Sequence, residues 1–163
     1  MLRATTGWGY GPITGTASKR QEGSLALGVA FDVGSAVIEN LIVRGRLRAS
    51  ALGFSDGDFG DDVLFSFGAI GVGVDYYFMP SNIYLGATLS LVGASRSHDD
   101  HTLHSKAGFG VDLDVGKEWW FGNHWGVGLA VRATLDQVGG ANIETGGSLR
   151  SFHVGLQFSA TYD

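Results

Sequence analysis

Cysteine is absent from this 163-residue chain, and proline and charged residues are scarce. Without cysteine the chain has no disulfide framework, no thiol nucleophile and no cysteine-based zinc site. Charged residues make up only 17% of the sequence and aromatic residues 12%, whereas a disordered segment is typically rich in charge and poor in aromatics. Acidic residues outnumber basic residues by 16 to 11, so we expect no nucleic-acid partner.

Long apolar runs and helical spacing are missing as well. No apolar run reaches the roughly 18 residues that indicate a transmembrane helix. The first seven residues lack the basic-then-apolar order of a secretory signal. We therefore expect any signal peptide to have been removed. The length of the chain is that of one ordinary domain, so we interpret residues 1–163 as a single domain.

The abundant features are glycine, at 27 residues, and an alternation of apolar with small or polar residues at every second position. Seven stretches between residues 23 and 162 follow this alternation strictly, which predicts strands with one apolar and one polar face. Residues 2–16 follow it less clearly and predict a first strand that is weak or shortened. The sequence therefore predicts an all-β chain of eight strands.

The connections between these strands alternate in length, which is typical of an up-and-down meander. With an even number of strands, both chain ends should lie on the side of the short turns. The predicted short turns are Ser35–Glu39, Met79–Asn82 and Gly122–His124. The predicted loops on the other side are Lys19–Glu22, Phe54–Asp62, Ser95–Ser105 and Asp136–Gly147.

The polar face of the strands indicates which side points inward. Glycine, alanine, serine and threonine separate its charged residues, whereas a water-facing exterior would be rich in lysine and glutamate. We therefore predict that this face lines the interior of a membrane-spanning barrel and that the apolar face meets lipid. The predicted interior charges are Asp32, Arg44, Arg46, Arg48, Asp75, Asp112, Asp114 and Arg132.

Aromatic residues gather near the short turns, where a membrane-interface girdle would lie. The residues of this predicted girdle are Tyr76, Tyr77, Phe78, Tyr84, Trp119, Trp120, Phe121 and Trp125. The predicted fold is an eight-stranded antiparallel up-and-down transmembrane β-barrel. The alternative is a soluble lipocalin-like ligand-binding barrel, in which the apolar face would point inward.

Three segments, at residues 73–82, 116–120 and 155–162, resemble the small outer-membrane β-barrel proteins of Gram-negative bacteria. The resemblance implies an outer-membrane location, a lipid or detergent environment and insertion by the barrel-assembly machinery. Such barrels commonly end in an aromatic residue, and here Tyr162 is followed by Asp163, which departs from that pattern. We expect a monomer.

The interior charges suggest two roles for the barrel. Charges shielded from water are costly unless they are paired, so we predict a ladder in which Arg44, Arg46 and Arg48 bond to Asp32 and Asp75. Arg132 is predicted to lie nearer to Asp112 and Asp114. Such a network would plug the barrel and give it a structural role. The alternative is a charged lining for a narrow pore that conducts ions or small solutes.

Two weaker candidates concern metal and catalytic chemistry. Imidazoles at His98, His101 and His104 could hold a transition metal, but their spacing in a polar loop favours a solvated segment without metal. His153 and Ser151 lie two residues apart on the last strand, with no acid placed beside them, so we expect no catalytic triad. The sequence therefore predicts a non-enzymatic barrel without a cofactor.

Overall fold

The computed structural model describes residues 1–15, 18–55, 62–98, 101–139 and 148–163, and these residues form an antiparallel β-sheet closed on itself. None of the described residues lies in a helix long and apolar enough to cross a membrane. The strands of the described part are β1 Leu2–Gly15, β2 Ser18–Ile38, β3 Leu41–Ser55, β4 Asp62–Phe78, β5 Ile83–His98, β6 His101–His104, β7 Lys106–Phe121, β8 Trp125–Gly139 and β9 Ser148–Tyr162.

Each strand is antiparallel to the strand that follows it in the sheet, and β1 closes the barrel by pairing with both β2 and β9. Strands β6 and β7 together occupy one position, because both pair with β5 at successive heights. Between them, Ser105 donates its backbone N–H to the Ala94 carbonyl at 2.8 Å. The barrel is thus eight-stranded and up-and-down, which confirms the predicted fold class.

The register of the sheet is strongly sheared. From Thr6, paired residues lead through β2, β3 and β4 to Gly93 on β5. In the other direction, paired residues lead through β9, β8 and β7 to Ile83 on β5, which lies ten residues before Gly93. A stagger of this kind tilts the strands against the barrel axis. Side chains at one height therefore come from unrelated positions of their strands.

The turns at one end of the barrel are tight. β2 continues to Ile38, so the first turn consists of Glu39 and Asn40 alone, and the predicted turn at 35–39 begins too early. Asn40 has a φ of 65° and Gly122 a φ of 69°, the left-handed conformation that asparagine and glycine adopt most readily. Both chain termini lie at this short-turn end, as predicted, with the Met1 amino group 3.2 Å from Asp163.

The strands extend further toward the opposite, long-loop end than the sequence predicts. β1 spans 14 residues, so the first strand is not shortened. Lys19–Glu22 lies within β2, and most of Ser95–Ser105 belongs to β5 and β6. β3 and β8 likewise run into two other predicted loops, whose remaining residues, 56–61 and 140–147, lie outside the described part. Backbone pairing continues here although no apolar alternation marks it, because strand hydrogen bonds do not depend on side-chain polarity.

The two faces of the sheet are opposite in character. Large apolar side chains cover the outside, where Val72 is 68% and Phe109 74% exposed. The inward face carries the predicted interior charges, and Asp32 and Asp75 have no exposed surface. This arrangement contradicts the soluble lipocalin-like alternative, whose apolar side chains would fill the interior.

Candidate functional site: the charged interior of the barrel

The structure places every predicted interior charge inside the barrel, and each is buried. It adds three charged residues to this set, Arg3, Glu118 and Asp136. The described interior thus holds five arginines and six carboxylates. These side chains come from β1, β2, β3, β4, β7 and β8 and meet because the strand alternation points them all toward the axis.

Arg3 on β1 is the centre of the interior at the short-turn end. Its guanidinium lies 2.8 Å from Asp75 and 3.1 Å from Glu118, and it donates a further hydrogen bond to the Tyr77 hydroxyl. The same guanidinium lies 4.9 Å from the centre of the Tyr84 ring, within the range of a cation–π interaction. Glu118 is held from two more sides, by the hydroxyls of Tyr77 at 3.0 Å and Thr161 at 2.8 Å.

Arg44 and Arg46 connect β3 to other walls of the barrel in its middle section. Arg44 donates to Asp75 at 2.9 Å and to Asp32 at 3.2 Å. Arg46 donates two hydrogen bonds to Asp32, at 2.6 and 3.0 Å. Both arginines also reach Asp114 on β7, each at 3.2 Å. These bonds cross the interior and join β2, β3, β4 and β7.

Arg48 and Arg132 complete the network toward the long-loop end. Arg132 donates to Asp114, so that one carboxylate is shared by three arginines. Asp112 accepts a hydrogen bond from Thr134 at 2.7 Å instead. Arg48 does not bond to Asp32 or Asp75 as the predicted ladder requires; it donates to Asp136 on β8 at 2.6 Å. The barrel shear lifts Arg48 away from Asp32, which lies opposite Arg46 in the β2–β3 register.

The two ends of the interior differ in how their side chains pack. At the long-loop end a cluster is formed by Ile13, Ala26, Phe67, Val92, Ala94 and Val138. At the short-turn end, the tilted rings of Tyr77 and Tyr84 pack together with centres 5.4 Å apart and against Ala130, and the Tyr77 hydroxyl belongs to the charged network. An apolar layer therefore covers the charged network at the long-loop end of the described interior.

The aromatic residues near the short turns divide between the two faces. Tyr76, Phe78, Trp119 and Trp125 lie on the outside, between 44% and 57% exposed, as an interface girdle requires. Tyr77 and Tyr84 are buried in the interior, and the prediction that they belong to the girdle is wrong.

Trp120 also departs from the predicted girdle. It shares the inward parity of Asp114 and Glu118 on β7, and its ring lies 3.3 Å from the point that a Cβ of Gly126 would occupy. The strand alternation is the physical reason, since neighbours along a strand point to opposite faces.

The weaker candidates do not assemble into a reactive site among the described side chains. Neither the Ser151 hydroxyl nor His153 Nδ1 has a hydrogen-bond partner, so no nucleophile–base bond joins them. The backbones of His98 and His101 pair at the tip of the β5–β6 hairpin. The side chains of His98, His101 and His104 lie outside the described residues.

Sequence reasoning missed Arg3 and Asp136 for identifiable reasons. Arg3 lies on the strand whose alternation is weakest, although its odd-numbered parity matches that of Thr5 on the inward face. Asp136 falls in a segment that the sequence predicts as a loop, and only the continuation of β8 to Gly139 turns its side chain inward. Parity along a correctly extended strand would have identified both.

No protein-family model matches the sequence, and no curated protein matches it either. Solved structures do match. Neisserial surface protein A is similar with a TM-score of 0.64 and 18% identity, covering 98% of this chain and 96% of that one. The outer membrane protein AlkL has a TM-score of 0.51 and 14% identity, covering 99% and 87%. The attachment invasion locus protein Ail of Yersinia pestis has a TM-score of 0.50 and 10% identity, covering 97% of both chains. The chain therefore has the fold of the small eight-stranded outer-membrane β-barrels.

Proposed function

We propose that this chain is a non-enzymatic outer-membrane barrel with a structural role, whose ion-pair network prevents solutes from passing through the interior. The observation that carries the proposal is the set of bonds across the interior, above all those of Asp114 with Arg44 and Arg46. We further propose that the barrel is a monomer whose partner is the lipid bilayer and that the barrel-assembly machinery inserts it. The resemblance of residues 73–82, 116–120 and 155–162 to such barrels supports the bilayer environment and the route of insertion.

The width of the barrel supports closure. An eight-stranded barrel has an interior just wide enough to be filled by side chains. Here the filling side chains are long arginines that reach across it, and Arg44 and Arg46 are at most 2% exposed. A conducting pore lined by charge would instead leave those charges in contact with water. The apolar layer at the long-loop end adds a second barrier to ions.

Electrical recording of the refolded full chain in a planar bilayer tests this proposal. The wild type is expected to show no stable single-channel conductance. The double variant Arg46→Ala/Asp114→Ala removes two side chains that meet across the interior and leaves the formal charge unchanged, so it should show measurable conductance. Glu39→Ala, at an exposed turn position, is the control and should behave as the wild type. Stable wild-type channels whose ion selectivity changes with Arg46 would favour the narrow-pore role instead.

A further inference from the structure

A small chamber lies inside the barrel against the wall formed by β1, β2 and β9. Its volume is about 30 Å³. The wall on this side is built from glycines, namely Gly7, Gly9, Gly28 and Gly155, which contribute no side chains to fill the interior. The chamber thus exists because the inward face lacks side chains at this height.

Basic and neutral polar groups face this chamber. Arg48, Arg132 and His153 line it together with the hydroxyl-bearing Ser50 and Thr134, and no carboxylate is among its described lining residues. Arg48 and Arg132 are 7% and 5% exposed. The lining is therefore cationic although the interior as a whole holds one more carboxylate than arginine.

Several donors at the chamber lack a partner. Arg48 uses Nη2 for Asp136, whereas its Nη1 and Nε have no hydrogen bond, and Nε lies 3.8 Å from the nearest oxygen of Asp112. The hydroxyls of Ser50 and Thr5 and the Nδ1 of His153 are also without partners, as is one acceptor of the lining, the side-chain oxygen of Gln157. Buried donors of this kind are costly unless something in the chamber accepts from them.

We propose that the chamber binds one small monovalent anion of halide size, such as chloride. A volume of about 30 Å³ holds one or two water molecules, so an anion that binds there has to be monatomic. The two guanidinium groups supply positive charge, and Arg48, Ser50 and the imidazole supply N–H and O–H donors. Larger anions such as sulfate or gluconate do not fit. The carboxylate of Asp136 accepts a hydrogen bond from Arg48, and that of Asp114 accepts one from Arg132, so both guanidinium groups are fixed in position.

Crystals of the full chain grown in sodium bromide test the proposal directly. An anomalous-scattering peak is expected inside the chamber, within hydrogen-bonding distance of Arg48. In solution, the ¹H–¹⁵N NMR signal of the Arg48 Nε–H group should shift saturably with chloride or bromide and stay unchanged with gluconate. Two ordered waters without a bromide peak, together with no saturable shift, would overturn the proposal.

Two variants separate this site from halide binding elsewhere. A Cβ at Gly28 would make only ordinary contacts, 3.5 Å from the Ala49 carbonyl and 3.6 Å from Ser50 Cβ, so Gly28→Val should fit and fill the chamber. It should abolish both the peak and the shift, whereas Gly68→Val, with open space around its Cβ, should change neither. Ser50→Ala removes one neutral donor and should weaken halide binding about tenfold. A peak or shift that survives Gly28→Val contradicts the assignment.

Discussion

Tyr76 and Tyr77 are neighbours on β4, yet their side chains lie in different environments. Tyr77 is buried, accepts a hydrogen bond from Arg3 and donates one to Glu118 at 3.0 Å. Tyr76 is 45% exposed on the lipid-facing side, where its ring meets Phe78 edge-on with centres 5.2 Å apart. The same substitution at these two tyrosines therefore measures how much the Tyr77 hydroxyl contributes to the stability of the barrel.

Tyr77→Phe is expected to lower the free energy of unfolding by about 1–3 kcal/mol, because it leaves a buried guanidinium and a buried carboxylate each short of one partner. Tyr76→Phe should change it by less than about 0.5 kcal/mol. Urea unfolding of the refolded protein in lipid vesicles, followed by tryptophan fluorescence, measures both. Equal losses in the two variants would mean that the Tyr77 hydroxyl adds nothing to the network.

At the scale of the element, β7 has one face toward the charged interior and the other toward lipid. Its inward residues include Asp112, Asp114 and Glu118, whereas Leu113 and Phe121 on the outward face are 56% and 63% exposed. Leu113 pairs with Ala87 and Ala133 in the middle of the sheet, and Phe121 is the last residue before the turn. The strand thus offers a lipid-facing position at the centre and another at the edge.

Leu113→Arg should cost about 2–4 kcal/mol of folding free energy in a bilayer, because it places a charge near the membrane midplane. Phe121→Arg should cost only about 0–1 kcal/mol, because its head group reaches the interface. Urea titration of the vesicle-inserted variants gives the two values. If the two substitutions proved equally costly, the outward face of β7 would not cross the bilayer as described.

At the scale of the whole molecule, closure gives β1 a neighbour on each side and brings the chain ends together. The Met1 amino group donates to the Gly34 carbonyl at 3.0 Å and lies 3.2 Å from the Asp163 carboxylate. β1 thereby lies between β2 and β9 along its length. The position of the ends matters little to such a closed sheet, provided that every strand keeps both neighbours.

This arrangement predicts that a circular permutant of the chain can refold if it is opened in a turn. Joining Asp163 to Met1 by a short glycine linker and opening the chain at Gly122–His124 should yield a barrel that refolds, since the new ends lie in an exposed turn. Opening the joined chain between Val43 and Arg44 interrupts β3 inside the ion-pair network and should prevent refolding. Circular dichroism and protease resistance in vesicles report the outcome. Failure of the first permutant alone would show that closure depends on the native order of strands.

Much of this architecture could be predicted from the sequence. The alternation is a local property, and a period of two directly places residues such as Arg44 and Asp75 on one face and Val43 and Val74 on the other. The composition of the polar face then determined that it points inward, because arginines and aspartates separated by small residues suit an enclosed space. Strand number, the lipid-facing surface and the position of the termini follow from these local patterns.

The partners inside the barrel depended on the tertiary structure. Arg3 and Asp75 are 72 residues apart in sequence, and Arg48 bonds to Asp136 across 88 residues. Which side chains meet across the interior depends on the shear and on where each strand ends, and neither leaves a local signal. The halide-sized chamber has the same origin. Single glycines on β1, β2 and β9 become a cavity only when closure of the sheet brings them to one height beside Arg48 and Arg132.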